Sequence, residues 1–156
     1  MFPEFTNFGF MDRIFKSGKI RFFFESHIDL KNRTDLKAFI QRLIKNEKHK
    51  AAGINIIFVG DDRLLQVNRE FLQHDFYTDI ITFQYNQPGE LLESDIYIST
   101  DRIRENAAEH HTAIRHELHR VIFHGILHLC GYGDKSRKDK QLMTQMEDHY
   151  LELYFK

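Results

Sequence analysis

The sequence has 156 residues, of which 42% are hydrophobic and 29% are charged, and this composition predicts one soluble globular domain over residues 1–156. Its formal net charge of −1 at pH 7 excludes a general attraction of the whole molecule to nucleic acid, so any such binding needs a local basic patch. The single cysteine, Cys130, excludes an internal disulfide, and no apolar run is long enough to span a membrane, so we expect a protein of the reducing cytoplasm.

The N-terminal part of the chain predicts an arm, a strand and a helix. Residues 1–19 contain five Phe interrupted by polar residues and lack the ordered regions of a signal peptide, which predicts an irregular arm or an edge strand. The aromatic run over residues 20–25 predicts a strand. Apolar residues at helical spacing predict a helix over residues 34–46, with Thr34 or Asp35 as its cap.

The middle of the chain predicts three strands around one helix. The β-branched run over residues 54–59 predicts a buried strand, and Asp61 or Asp62 is expected to cap a helix that ends at residue 71. Residues 79–85 and 95–99 predict two further strands. Pro88 and Gly89 predict the turn between them.

The last third of the chain predicts helices. A short helix follows Thr100 or Asp101 as its cap, and longer helical patterns cover residues 112–130 and 138–154. The resulting order is β-α-β-α-β-β-α-α-α. It predicts an α/β sandwich in which a mixed four-stranded sheet packs with about five helices.

The most informative residues lie near the end of the helical run over residues 112–130. His124 and His128 are four residues apart, so both imidazoles face the same side of a helix. Gly131 and Gly133 then allow bends that return Asp134 to the histidines. Three protein ligands with a fourth position open to water are the arrangement of a catalytic zinc. The spacing therefore predicts one divalent metal ion, held by the two histidines and the aspartate at the end of a buried helix.

Each of these residues also has a structural interpretation. A histidine in the last turn of a helix is stabilised by the helix dipole or held in the core. Asp134 also fits the N-cap of the last helix. The histidine pair, followed by the glycine break and a carboxylate, favours the metal site over these alternatives.

The pattern is not that of a metalloprotease. In the H-E-x-x-H motif a glutamate between the histidines acts as general base, and Gly125 is found at that position here. His116 and Glu117 begin a similar pattern, but Arg120 stands where the second histidine is needed. Gly125 instead predicts a close backbone approach or room for a bulky ligand.

Three stretches of the sequence together resemble the YbeY-type rRNA maturation factors of bacteria. Residues 124–132, HGILHLCGY, are similar to the family's H-G-x-L-H-L-x-G-Y signature. Residues 68–83, NREFLQHDFYTDIITF, resemble its N-x-x-[YF]-R-x-x-D-x-x-T-D-V-L-S-F block, and residues 94–99, SDIYIS, resemble its G-D-I-x-I-S strand. The three stretches lie in the family's order.

The resemblance implies a metal-dependent endoribonuclease specific for single-stranded RNA. It implies one zinc ion per chain, with other divalent metals as alternatives. It further implies 16S rRNA 3′ end processing and ribosome quality control, with rRNA and the small ribosomal subunit as partners and with no role for DNA or membranes. Two alternatives stay open: a metal-dependent hydrolase of another substrate, and a ribosome assembly factor with a mainly structural metal.

Two residues depart from the family pattern. Asp134 stands where the family has its third metal-site histidine, and an anionic ligand weakens the Lewis acidity of the ion. Leu72 stands where the family has an arginine thought to contact phosphate. Another cation must then contact the RNA. The candidates are Arg63, Arg69, Lys135 and Lys138, with Arg137 and Lys140 beside the last two. Each of them is also explained as a solvated surface charge.

The general base and acid are not identified by the sequence. His74, Asp75 and Asp79 are the candidates near the expected site. Four aromatic residues are candidates to stack on bases, although aromatic residues at strand and helix periods usually belong to the core: Phe71, Tyr77, Phe83 and Tyr132.

Overall fold

The computed structural model describes residues 19–156, so the expected N-terminal arm lies outside the described residues apart from Lys19. In chain order the elements are β1 (Lys19–Phe24), α1 (Arg33–Asn46), β2 (Ala51–Val59), α2 (Asp61–Leu72), β3 (Ile80–Gln84), β4 (Leu92–Ser99), α3 (Thr100–Glu109), α4 (Ile114–Leu129) and α5 (Arg137–Tyr154). The predicted order of strands and helices is confirmed over this part of the chain. The largest differences are at β2 and β4, which each begin three residues before their predicted starts.

The four described strands form one mixed sheet in the order β1-β2-β4-β3. β1 and β4 run parallel to β2 on either side of it, whereas β3 pairs antiparallel with β4 and forms an edge. β2 is buried along almost its whole length because it lies between two strands and under helices on both faces. The predicted fold class, a mixed four-stranded α/β sheet with about five helices, is confirmed.

The core has two parts because successive strand residues point to opposite faces of the sheet. Ile56, Phe58 and Ile96 belong to the larger cluster, which also contains buried residues of α1, α4 and α5. Ile57 and Tyr97 belong to the smaller cluster, which is completed by α2. Among the described helices none is long and apolar enough to cross a membrane.

The predicted N-caps are wrong for α1, α2 and α3. These helices begin after other residues, namely Asn32, Gly60 and Ser99. At α2, the backbone N–H of Asp61 donates to the carboxylate of Asp101 from α3 (2.7 Å), so a tertiary contact replaces a local cap. At α3, the Ser99 hydroxyl accepts from the backbone N–H of Arg102 (3.2 Å).

A close approach at Gly125 fixes α4 against the β3 edge of the sheet. A Cβ atom at this position would lie 2.8 Å from Cδ1 of Ile80 and 3.3 Å from Cγ2 of Ile96. Of the two interpretations of this glycine, the structure therefore supports a close approach rather than room for a ligand. The contact places the last turns of α4 beside the edge strand.

Candidate metal centre

The chain reverses direction directly after α4. Gly131 has a φ of +104°, the left-handed conformation that was predicted for it. Its N–H donates to the carbonyl of His128 (3.0 Å), and the N–H of Tyr132 donates to the carbonyl of Leu127 (3.1 Å). Gly133 has no such left-handed φ, so the second bend is made in ordinary backbone geometry. This turn returns the chain to the histidines.

The structure brings His124, His128 and Asp134 together. The two Nε2 atoms are 3.0 Å apart, and Oδ2 of Asp134 is 3.2 Å from Nε2 of His128 and 3.5 Å from Nε2 of His124. Two ligands of a tetrahedral zinc, each about 2.0–2.2 Å from the ion, lie about 3.3–3.6 Å apart. One of the three separations lies in this range and two lie slightly below it, so the three donor atoms are close enough together to serve as ligands of one small cation.

The other ring nitrogen of each histidine has a partner that fixes its tautomer. Nδ1 of His124 is 3.2 Å from Oε1 of Glu147, and Nδ1 of His128 is 2.8 Å from the carbonyl oxygen of Tyr132. Both partners are acceptors, so each Nδ1 carries the proton and donates. The Nε2 lone pairs are left free toward Asp134, which is the arrangement that metal-binding histidines adopt.

The structural interpretation of Asp134 is wrong, because Ser136 caps the last helix. The Ser136 hydroxyl accepts from the backbone N–H of Asp139 (3.0 Å). The side chains of His124, His128 and Asp134 are 17%, 27% and 43% exposed, so the cluster opens outward rather than into the core.

A buried ion-pair network lies behind His124, and sequence reasoning missed it. Arg120 donates to both carboxylate oxygens of Glu117 (2.6 and 2.9 Å) and to Oε1 of Glu147 (2.9 Å), and it lies 3.7 Å from the carboxylate of Asp79. Glu117 and Glu147 are almost fully buried. Hydrogen bonding to Glu117 raises the pKa of Arg120. The i, i+3 spacing of Glu117 and Arg120 is a local signal for this pair, but Glu147 belongs to another helix.

A second carboxylate ties the turn after α4 to the rest of the fold. The hydroxyls of Tyr132 and Tyr150 both donate to Glu47, the residue that follows α1. The hydrogen bond to Glu47 raises the pKa of Tyr132 to about 12, so the phenol stays protonated. Glu47 therefore joins α1, the turn and α5 beside the carbonyl that accepts from His128.

Cys130 does not join the candidate ligands. Burial, followed by the nearby Glu47 carboxylate, raises the pKa of its thiol to about 12. The neutral thiol is a poor metal ligand at neutral pH.

A cavity of about 640 Å³ opens over the three donor atoms. Its wall contains two of the three general-base candidates, His74 and Asp79, whereas the third, Asp75, pairs with Arg69 instead. Leu72, which stands where the motif resemblance implies an arginine, also lines the cavity and is 41% exposed.

Of the four candidate RNA-contacting cations, only Lys135 lines this cavity. Lys138 lies in the first turn of α5. Arg63 lies 3.5 Å from the carboxylate of Glu25, and Arg69 pairs with Asp75. Lys135 is thus the candidate that the structure places at the metal centre.

None of the four candidate stacking aromatics lines the cavity. Phe71 and Phe83 pack edge to face with each other on the α2 side of the sheet. The hydroxyl of Tyr132 donates to Glu47, and Tyr77 lies under the guanidinium of Arg102 at 4.8 Å. Each of the four is engaged by another residue of the fold, which favours the packing interpretation over base stacking.

Comparisons with known proteins extend over most of the chain. Residues 23–154 match the family model described as Endoribonuclease YbeY, from within β1 to the last residue of α5. A Cytophaga hutchinsonii protein with this name is 44% identical over 134 residues, which cover 85% of this chain and 94% of that protein. A Phocaeicola vulgatus protein of the same name is 49% identical over 104 residues, which cover 67% and 75%.

The fold also has a solved counterpart. The solution structure of a Thermotoga maritima protein superposes with a TM-score of 0.64 and is 28% identical in sequence. The match covers 87% of this chain and 89% of that one.

Proposed function

The chain belongs to the YbeY endoribonuclease family, and we propose that it is a metal-dependent endoribonuclease that cleaves single-stranded RNA. One observation beyond the family carries this proposal. The donor atoms of His124, His128 and Asp134 lie within 4.8 Å of one another on the wall of a cavity of ligand-binding size. A site that is open on one side has room for both a water molecule and a substrate.

We propose that this site holds one zinc ion per chain. Two imidazole nitrogens and one carboxylate oxygen form a donor set that zinc accepts, and other divalent metals also bind such sites. When bound, the ion would activate a water molecule and stabilise negative charge on the phosphate. The outward exposure of the ligands supports a catalytic rather than a closed structural site.

The chain's own residues supply the other parts of the reaction. Lys135 on the cavity wall is suited to hold a phosphate of the RNA. His74 and Asp79 are the cavity-lining candidates to accept a proton from the attacking water. Glu147 and the Tyr132 carbonyl hold the two imidazoles in the tautomer that presents Nε2.

The RNA that we propose as substrate is rRNA, in the 3′ end processing of 16S rRNA and in ribosome quality control at the small subunit. The three family motifs and the family match over residues 23–154 support this assignment. Nothing in the comparisons favours a hydrolase of another substrate or an assembly factor with a structural metal.

The activity is tested on purified protein by elemental analysis together with cleavage assays. We expect about one zinc per chain and cleavage of single-stranded but not duplex RNA. His128→Ala should lose both the metal and the activity. His116→Ala is the matched control, because it removes an exposed histidine from the same helix and should keep both. Metal-free wild-type protein, or equal activity in both variants, would contradict the proposal.

The substrate is tested in cells. Depletion of the protein should leave 16S rRNA with unprocessed 3′ ends, and the wild-type gene should restore mature ends. The His128→Ala gene should not restore them. Normal 16S ends in depleted cells would restrict the proposal to RNA other than rRNA.

A further inference from the structure

The wall of the metal-facing cavity carries an exposed aromatic ring, that of Phe76. Three large apolar residues at the end of α2 and in the segment before β3 are exposed: Leu72 (41%), Phe76 (56%) and Tyr77 (48%). Tyr77 is covered by Arg102, whereas Leu72 and Phe76 both line the cavity over the candidate ligands. An exposed apolar surface on the wall of a binding cavity indicates contact with a ligand.

The geometry of this ring indicates what kind of ligand it contacts. The imidazole of His74 stacks on Phe76, with ring centroids 5.2 Å apart and an interplanar angle of 19°. Both residues are exposed and both line the cavity. A third planar ring can extend such a stack, and every nucleobase offers a planar face of this kind.

The segment that carries the stack is anchored at both ends. Asn68 is 1% exposed, and its side-chain amide donates to the carbonyl of Phe76 (2.9 Å). The backbone N–H of His74 donates to the carbonyl of Asn68 (3.1 Å), and the hydroxyl of Thr78 donates to the carbonyl of Ile80 (3.3 Å). Little conformational freedom is then lost on binding, which favours affinity.

We propose that Phe76, backed by His74, is a nucleobase-stacking subsite that holds one unpaired base of the RNA beside the metal centre. This inference rests on the proposed function. Lys135 lies on the same cavity wall and can hold the phosphate backbone while the base stacks. The subsite selects unpaired RNA, because both faces of a base inside a duplex are already covered by its neighbours.

The test combines variants of the subsite with RNAs that lack one base. Phe76→Ala should lower the kcat/KM for single-stranded RNA by about 5- to 150-fold, the range that corresponds to removal of one stacked base. Phe76→Trp should keep the wild-type value. Ile114→Ala, which truncates a comparably exposed side chain at the opposite end of α4, should have no effect. Metal content and thermal unfolding should be unchanged in all three variants.

A set of RNAs with one abasic nucleotide, moved through each position in turn, identifies the stacked base. The wild-type enzyme should lose kcat/KM by the same factor when the abasic nucleotide occupies the subsite. Phe76→Ala should show no further loss with that RNA, because the stack is already absent.

The outcomes separate this inference from the function on which it rests. If the wild-type enzyme cleaves RNA and Phe76→Ala cleaves it equally well, the stacking subsite is refuted and the endoribonuclease is not. The subsite would also be refuted if, for every abasic RNA, the loss of kcat/KM caused by the missing base were the same in Phe76→Ala as in the wild-type enzyme. If the wild-type enzyme neither binds nor cleaves RNA, both proposals are refuted.

Discussion

Asp134 is the residue in which this chain differs most directly from the family pattern at the metal centre. Its carboxylate lies as close to the two Nε2 atoms as a third ligand must, and it does not cap α5. A carboxylate can replace an imidazole at zinc, with the consequence that the site carries one negative charge more. The position of this carboxylate is therefore suited to a third metal ligand.

We predict that Asp134→Ala greatly weakens metal binding, whereas Asp134→His retains it, because an imidazole also suits zinc. Competition with a chelator measures both affinities. The matched control is Ser136→Ala, which removes the observed cap and should lower the free energy of unfolding by about 1 kcal/mol while leaving metal affinity unchanged. If Asp134→Ala bound the metal with wild-type affinity, Asp134 would not be a metal ligand.

Glu147 is predicted to be a positioning residue for His124. Glu147→Gln removes the charge that orients the Nδ1–H of His124 and should weaken metal binding by about 10- to 100-fold. Glu117→Gln is the matched control, because Glu117 is also buried and also binds Arg120 but does not touch His124. Both variants should lose stability, but only Glu147→Gln should lose metal affinity. Equal losses of affinity would show that the network acts through Arg120 alone.

At the scale of the elements, the contact between α4 and β3 decides where the histidines lie. Gly125→Ala adds a methyl group close to Ile80 and Ile96, and overpacking of this kind costs about 1–3 kcal/mol. Cδ1 of Ile80 is the flexible end of a side chain and can move, but Ile96 is fully buried, so the gain in helix propensity of about 1 kcal/mol offsets only part of the cost. We therefore predict a lower free energy of unfolding, measured by denaturant titration.

The double variant Ile80→Val, Gly125→Ala tests the cause of this loss. Removal of Cδ1 from Ile80 relieves the shortest contact, so the double variant should be more stable than the sum of the two single effects predicts. If the two changes in the free energy of unfolding simply added, the strain in Gly125→Ala would not come from the contact with Ile80.

The elements were predictable where the signal is local. The β-branched run of β2 and the apolar spacing of α4 predicted both elements, although β2 begins three residues before its predicted start, where its first residues pair with β4. The cap of α2 was not predictable, because the carboxylate that binds its first N–H belongs to Asp101, forty residues away. The three candidate ligands could be chosen from spacing across a glycine turn, whereas Glu147 could not, because its contact with His124 is set by how α5 packs on α4.

At the scale of the whole molecule, the net charge of −1 means that RNA binding depends on a few local cations. Reversal of Lys135 and Lys138 together should weaken RNA binding and flatten its dependence on salt, without changing metal content. Lys135→Glu alone should account for most of the change and lower the slope by about 1, because Lys135 lines the cavity and Lys138 does not. Lys138→Glu alone is the matched control. An unchanged slope in the double variant would place the cationic surface elsewhere, with Arg63 and Arg69 as the next candidates.

The contacts of α5 have a consequence for the order in which the chain matures. Strands and helices up to α3 precede the two histidines in the chain, and a domain folds as a unit once the segments of its core have been made. Glu147 contacts His124, and Tyr150 shares Glu47 with the turn after His128. Both residues belong to α5, so they are synthesised after the histidines and the turn. The larger core cluster, which contains residues of α4 and α5, and the candidate metal centre therefore both stay incomplete until α5 has been made. The site that we propose to cut RNA is therefore completed by the last of the described elements to be made.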